Sequence, residues 1–281
     1  MIGLGPGDRR YPARLLDVSC PPDPLWLDGD LAALATRAVS IVGTRRMTPY
    51  GARVARELAS ACAEVGIVVV SGLAQGVDSA AHEGALDAHG RTVAVLGAGI
   101  ASYLAEAGGR RRRLAHAIRS SGALISEFPP DAPPQKWTFA QRNTTIAALG
   151  ELTVVVEAPV GSGALITAEE ARRLGRPVYA VPGPIGVAAS AGGNRLIATA
   201  GAKALVDAAM LLDAVGAPIR TDKEDADDLD ARILDALGST ADPDALTRRV
   251  GLDAAALSTR LARLVIRGKV AVATDGRFLR R

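Results

Sequence analysis

The chain has 281 residues, 48% of them apolar, with two isolated cysteines and a formal net charge of +3. No apolar run approaches the ~18 residues needed to span a bilayer, and the opening MIGLGPGDRRYP lacks the apolar stretch of a secretion signal. A cytoplasmic protein is therefore expected, with one large and one small domain and neither a disulfide framework nor a zinc site from Cys20 and Cys62. The sequence pI near 9.1 permits nucleic-acid binding without requiring it.

Residues 1–35 hold proline-rich turns and Trp26 and are read as an N-terminal extension that caps the large domain. From residue 36 to 217 one syntax repeats: a short β-branched run ends in glycines and leads into an alanine-rich helical stretch. The runs are AVSIVG, GIVVVSG, RTVAVLG, GALISE and LTVVVEA. Continuous apolar runs of this length predict strands buried on both faces, and the intervening helices predict right-handed parallel crossovers. The expected fold is α/β, a doubly wound and mostly parallel sheet, with ligands at the carboxyl ends of its strands. Residues 218–228 include the acidic DKEDADD and read as a solvated linker. Residues 229–281 follow with three helical patterns and a two-stranded hairpin turning at Asp275-Gly276, the order of a small winged-helix domain.

Four turns of small residues, GTRR, SGLAQG, GAGIAS and PVGSGALIT, are candidates for converging backbone N–H groups on an anion. A P-loop signature is missing, and Gly97-Ala98-Gly99 runs to Ser102 where a dinucleotide fingerprint has Gly or Ala, without the acidic residue that follows ~20 positions on in that fingerprint. The stretch EAPVGSGALITAEEA is similar to the P-G-G-x-G-T-x-x-E loop of nucleotide phosphoribohydrolases. The catalytic glutamate position of that loop falls on Thr167, its threonine position falls on Ala164, and Glu169 and Glu170 come later on the helix. Asp78 and His82, one helical turn apart, suit either a metal pair or helix-start packing, and no third ligand is apparent; His89 and His116 have no catalytic company. No covalent chemistry, cofactor or metal is expected.

Taken in order, SIVGTRRMTPYG, VVSGLAQGVDSAAHEGAL, FAQRNTTIAALG, VVVEAPVGSGALITAEEA and VYAVPGPIGVAASAGGNRLIATAGA resemble the DprA (Smf) family of DNA-processing proteins of natural transformation over about residues 9–215. The resemblance implies a Rossmann-like domain that binds single-stranded DNA, forms a homodimer, protects incoming strands and helps load the RecA recombinase. It also implies a site made of Gly43, Thr44 and Arg45, of Ser71 and Gly72, of Lys136, Phe139, Arg142 and Asn143, and of Gly161, Ser162 and Gly163. In this scheme Arg45 meets a phosphate and Phe139 a base. Arginines and glycine amides suit a nucleic-acid backbone, and an aromatic face accepts any base. The chain departs from the family pattern at Tyr103, which lacks its following proline, and at Thr144, which replaces an arginine; the run Arg110–Arg113 offers a substitute basic contact or a solvated face. In the small domain, Arg260, Arg263 and Arg267 share one helical face and Lys269 and Arg277 flank the wing, a face for duplex DNA or one left to solvent and protein contacts. The alternative function is that of a Rossmann-like nucleotide-binding protein or nucleotide phosphoribohydrolase.

Overall fold

A computed structural model of the chain describes residues 1–199, 201–217, 222–237, 243–266, 268–273 and 278–280; for 222–228, 243–245, 255, 263, 266 and 272 it describes the backbone alone. The chain forms two compact units, Met1–Pro218 and Ile219–Arg281.

The first unit is built on a sheet of nine strands: β1 (Ile2–Leu4), β2 (Leu25–Gly29), β3 (Ala38–Val42), β4 (Val68–Ser71), β5 (Thr92–Leu96), β6 (Ala123–Ser126), β7 (Thr153–Val155), β8 (Val178–Ala180) and β9 (Lys203–Ala204). Their spatial order is β1-β2-β6-β5-β4-β3-β7-β8-β9. From β6 to β9 every neighbouring pair is parallel. The chain builds outward from β3 through β4, β5 and β6, then returns to β3's other side for β7. The carboxyl ends of β3 and β7 thus flank the point where the winding reverses, which is where such sheets hold ligands.

Helices cover both faces: α1 (Ala32–Ala35), α2 (Pro49–Glu64), α3 (Val77–Asp87), α4 (Ile100–Glu106), α5 (Gly109–Ser121), α6 (Lys136–Leu149), α7 (Gly163–Arg173), α8 (Ala188–Thr199) and α9 (Ala208–Ala214). Alternation along each strand splits the core in two. Val93 and Val95 join one apolar cluster, while Ala94 and Leu96 join the other beneath α4 and α5. The few polar side chains on these strands are satisfied internally, as where Ser40 Oγ donates to the Ile146 carbonyl at 2.6 Å.

Residues 1–35 are more than a cap. β2 pairs antiparallel with β6, Trp26 opposite Ser126, and β1 pairs with β2, so the segment extends the sheet by two strands. Arg14 holds Glu151 at 2.6 Å and Arg176 holds Asp17 at 3.0 Å, fastening the segment to the parallel half.

The second unit contains α10 (Asp222–Leu237), α11 (Pro243–Val250), α12 (Ala254–Ile266) and the antiparallel pair β10 (Val270–Val272) and β11 (Phe278–Arg280). Ile233, Leu246, Leu257, Leu261 and Leu264 form its core. The acidic stretch expected as a linker is helical from Asp222 onward. Acids at a helix start face the positive end of its dipole, which favours helix over coil there. The expected Asp275-Gly276 turn lies outside the described residues.

His82 on α3 is fully buried, its Nδ1 paired with Thr92 Oγ1 at 2.7 Å, and burial pushes its pKa down to about 3. The unfolded chain therefore takes up a proton below the ordinary value of 6.5 while the folded chain does not. This contribution to stability is complete above pH 6.5 and is lost as pH falls toward 3. Urea unfolding at pH 7.5 and pH 5 should show wild type losing about 2 kcal/mol more than His82→Gln over that interval.

Candidate nucleic-acid interface

The loops after β3 and β7 and the first turn of α6 meet at the switch point around a cleft of about 420 Å³. The loop after β3 is held by its neighbours: the Thr44 amide donates to the Glu157 carbonyl at 2.7 Å, and Thr44 Oγ1 accepts from the Arg46 amide at 3.2 Å. Buried Glu157 accepts from the Thr48 amide at 2.8 Å and from its hydroxyl at 2.6 Å, closing the loop onto α2. With the loop fixed, Arg45 and Arg46 are left exposed.

Arg45 turns toward α6. Its Cζ lies 5.4 Å from the centroid of the Phe139 ring, within cation–π range. Phe139 also rests on the end of β5, where a Cβ at Gly97 would come within 2.6 Å of the ring. The ring is half-buried, and Lys136, one turn earlier on α6, is exposed. Across the cleft, Gly161 adopts φ +80°, a conformation that favours glycine, and Ser162 caps α7 by accepting from the Ala164 amide at 3.4 Å. No atom lies within 4 Å of where a Cβ would project from Gly161 or Gly163. The helix start is thus open to an approaching anion.

Other expected site residues lie inside the protein. Ser71 is fully buried on β4, its hydroxyl donating to the Ile41 carbonyl at 2.6 Å, so it is a strand-to-strand tie and not a surface contact. Asn143 is 8% exposed and donates to the Gly163 carbonyl at 3.4 Å, positioning the glycine turn. Arg142 is 5% exposed and lies 3.9 Å from the buried Asp78 carboxylate. Gly72 is a glycine because of this arginine: a Cβ there would sit 1.3 Å from Arg142 Nη1.

Asp78 faces the amides of Gly43, Gly72 and Ala74, the last donating at 3.4 Å. Burial pushes the carboxyl above the ordinary carboxylate range, opposed by Arg142 and these amides. The turns after β3 and β4 thus direct amides at an anion the protein itself supplies. The Asp78/His82 pair does not converge on a metal, since His82 points to Thr92. Among the described residues no group of three or more His, Cys, Asp or Glu is placed to hold a metal ion.

Along the cleft wall the glutamate position of the phosphoribohydrolase pattern is occupied by buried Thr167. Glu169 and Glu170 bond Arg172 and Arg173 at 3.0 and 2.8 Å along α7. Within the run Arg110–Arg113, Arg110 binds Glu83 at 2.8 Å, while Arg111 lines a neighbouring cleft together with Arg45. Sequence reasoning missed Glu157; its signal is an acid ending an otherwise apolar strand run.

In the second unit, Arg260 is partly buried and lies 3.5 Å from Asp230, so it ties α12 to α10. Lys269 is exposed. Arg263, Arg267 and Arg277 lie outside the residues whose side chains are described.

The family model for DNA recombination-mediator protein A matches residues 3–216, and that for the DprA winged helix domain matches residues 217–276. The chain belongs to the DNA recombination-mediator protein A family. Protein Smf of Escherichia coli (strain K12) is 41% identical over 188 residues, covering 66% of this chain and 50% of that protein. The chain spans about half the length of the first curated relatives it matches. The crystal structure of DNA processing protein A from Streptococcus pneumoniae has a TM-score of 0.70 at 35% identity, over 75% of this chain and 73% of the other. DNA processing protein A from Helicobacter pylori, whose structure is described for its single-stranded DNA binding mode, has a TM-score of 0.66 at 28% identity over 73% and 92%. Among the described residues of this family member, no helix is long and apolar enough to cross a membrane.

Replacing Gly72 with alanine should displace Arg142 and cost about 3–5 kcal/mol, the range for breaking a buried ion pair. Gly163→Ala, into open space, should stay within about 0.5 kcal/mol of wild type. Urea denaturation of both variants measures the contrast.

Proposed function

We propose that this chain binds single-stranded DNA across the switch-point cleft and acts as a recombination mediator, protecting the strand and passing it to a RecA-type recombinase. The observation that carries this reading is the exposed Arg45 over the Phe139 ring, opposite the open start of α7. Arg45, Lys136 and the α7 amides follow phosphates, and the aromatic face takes a base. A half-buried ring at the base of a cleft receives an unstacked base and does not meet the paired bases of a duplex. Arg142, Asn143, Asp78 and Glu157 position the loops. Delivery to the recombinase rests on the family relationship, as does the homodimer. For the dimer, Val160, Ile185 and Val187 supply exposed apolar surface after β7 and β8, with Ile185 99% exposed.

Fluorescence anisotropy with oligothymidylate and a duplex of equal length tests the reading. The single strand should bind more tightly; equal affinities would refute the proposal. With about four phosphates neutralised, log K should fall against log salt with a slope of roughly −3. Arg45→Ala should make that slope shallower by about 0.7. Phe139→Ala should cost about 1–3 kcal/mol and leave the slope unchanged.

A further inference from the structure

At the other end of the sheet, residues 9–14 and 31–35 line a groove of about 620 Å³. Arg14 Nη1 donates to the carbonyls of Thr36, just before β3, and of Leu149, at the end of α6, both at 3.3 Å. The groove therefore sits at the amino ends of β3 and β7, whereas the switch-point cleft sits at their carboxyl ends. Leu31, Leu34 and Tyr11 give it an apolar floor, and Arg9, Arg10 and Arg14 stand along it with no acid among the lining residues. Tyr11 is buried and locked, its hydroxyl donating to the Pro22 carbonyl at 2.9 Å. Asp8 answers Arg10 at 2.6 Å, and Glu151 is shared between Arg14 at 2.6 Å and Arg37 at 2.8 Å. Arg9 is exposed and makes no hydrogen bond or ion pair among the described residues. Positive charge is thus in excess along a preformed apolar recess.

We propose that this groove docks an acidic peptide segment of a partner protein, its aliphatic side chains seated on the floor and its carboxylates meeting Arg9, Arg10 and Arg14. The volume falls within the ~300–1,000 Å³ of ligand sites, which combine apolar walls with a few placed polar groups. Guanidinium forks match carboxylates with paired donors. Charge and shape argue against other occupants. A nucleic acid needs a stacking face beside its basic contacts, and the one aromatic residue lining the groove is buried. A second copy related by a two-fold axis would set this basic rim against itself, like charge on like. A lipid surface is met by an amphipathic face that enters it, not by a recess. Docking at the amino ends of the strands leaves the switch-point cleft accessible, and the inference does not depend on the single-strand reading.

The test titrates the full chain into a short fluorescein-labelled peptide of alternating leucine and aspartate, and into versions with lysine for aspartate or serine for leucine, followed by anisotropy. The leucine–aspartate peptide should bind, and each of the other versions should bind about tenfold or more weakly, one for lost charge and one for lost apolar burial. Arg9→Glu, at an exposed side chain without partners, should weaken the leucine–aspartate peptide about fivefold. With a diazirine-bearing leucine in the peptide, crosslinks should fall within residues 9–14 or 31–35. Absence of binding, equal binding of all versions, an Arg9→Glu variant with unchanged affinity, or crosslinks confined to the starts of α6 and α7 would each overturn the proposal. So would an oligomer that Arg9→Glu dissolves, which would give the groove to a second copy, or capture by phosphatidylglycerol vesicles without peptide binding, which would give it to lipid.

Discussion

The buried pair of Arg142 and Asp78 sits where the carboxyl ends of β3 and β4 approach α6, and the surrounding surface is organised by it. Asp78 takes the amides of the glycine turns, and Arg142 is admitted beside Gly72 only because that residue has no side chain. Removing one partner of such a pair strands a charge in the interior, so neither residue changes independently. The consequence for function is one of exclusion as much as support. Amides that another doubly wound protein turns toward a nucleotide phosphate are here occupied by an internal carboxylate. External anions are left the side of the cleft where Arg45 and the start of α7 are open.

On the proposed reading, this division suits the site to an extended polymer although its topology is one that elsewhere holds nucleotides. A mononucleotide site encloses its phosphate within one turn. Here the exposed contacts are spread over three elements, the β3 loop, the start of α6 and the start of α7, with the Phe139 ring among them. Spread contacts with an aromatic platform are what the proposed single-strand binding needs, since they give affinity through several phosphates and tolerate any base.

The five central strands were legible because AVSIVG, GIVVVSG, RTVAVLG, GALISE and LTVVVEA are each long enough to announce a strand buried on both faces. β8 and β9, three and two residues long, carry too little pattern to stand out from their turns. The strands of residues 1–35 were hidden because their partners lie far along the chain, β2 against β6. For the site, Arg45 and Phe139 come together as the motif resemblance implies. Ser71, Arg142 and Asn143 sit in the same motifs but face inward, because motif membership does not distinguish a side chain that touches a ligand from one that shapes the loop. Arg260 was assigned to a surface by helical spacing alone, and spacing does not reveal that Asp230 lies within reach.

The most direct test of the account is where a bound strand touches the protein. Photo-crosslinking of oligothymidylate substituted with 5-iodouracil, followed by mass spectrometry of the crosslinked peptides, reports which side chains lie against bases. The account predicts crosslinks at Phe139 in the peptide that begins α6. Efficient crosslinking confined to the second unit, with none in the α6 peptide, would contradict it.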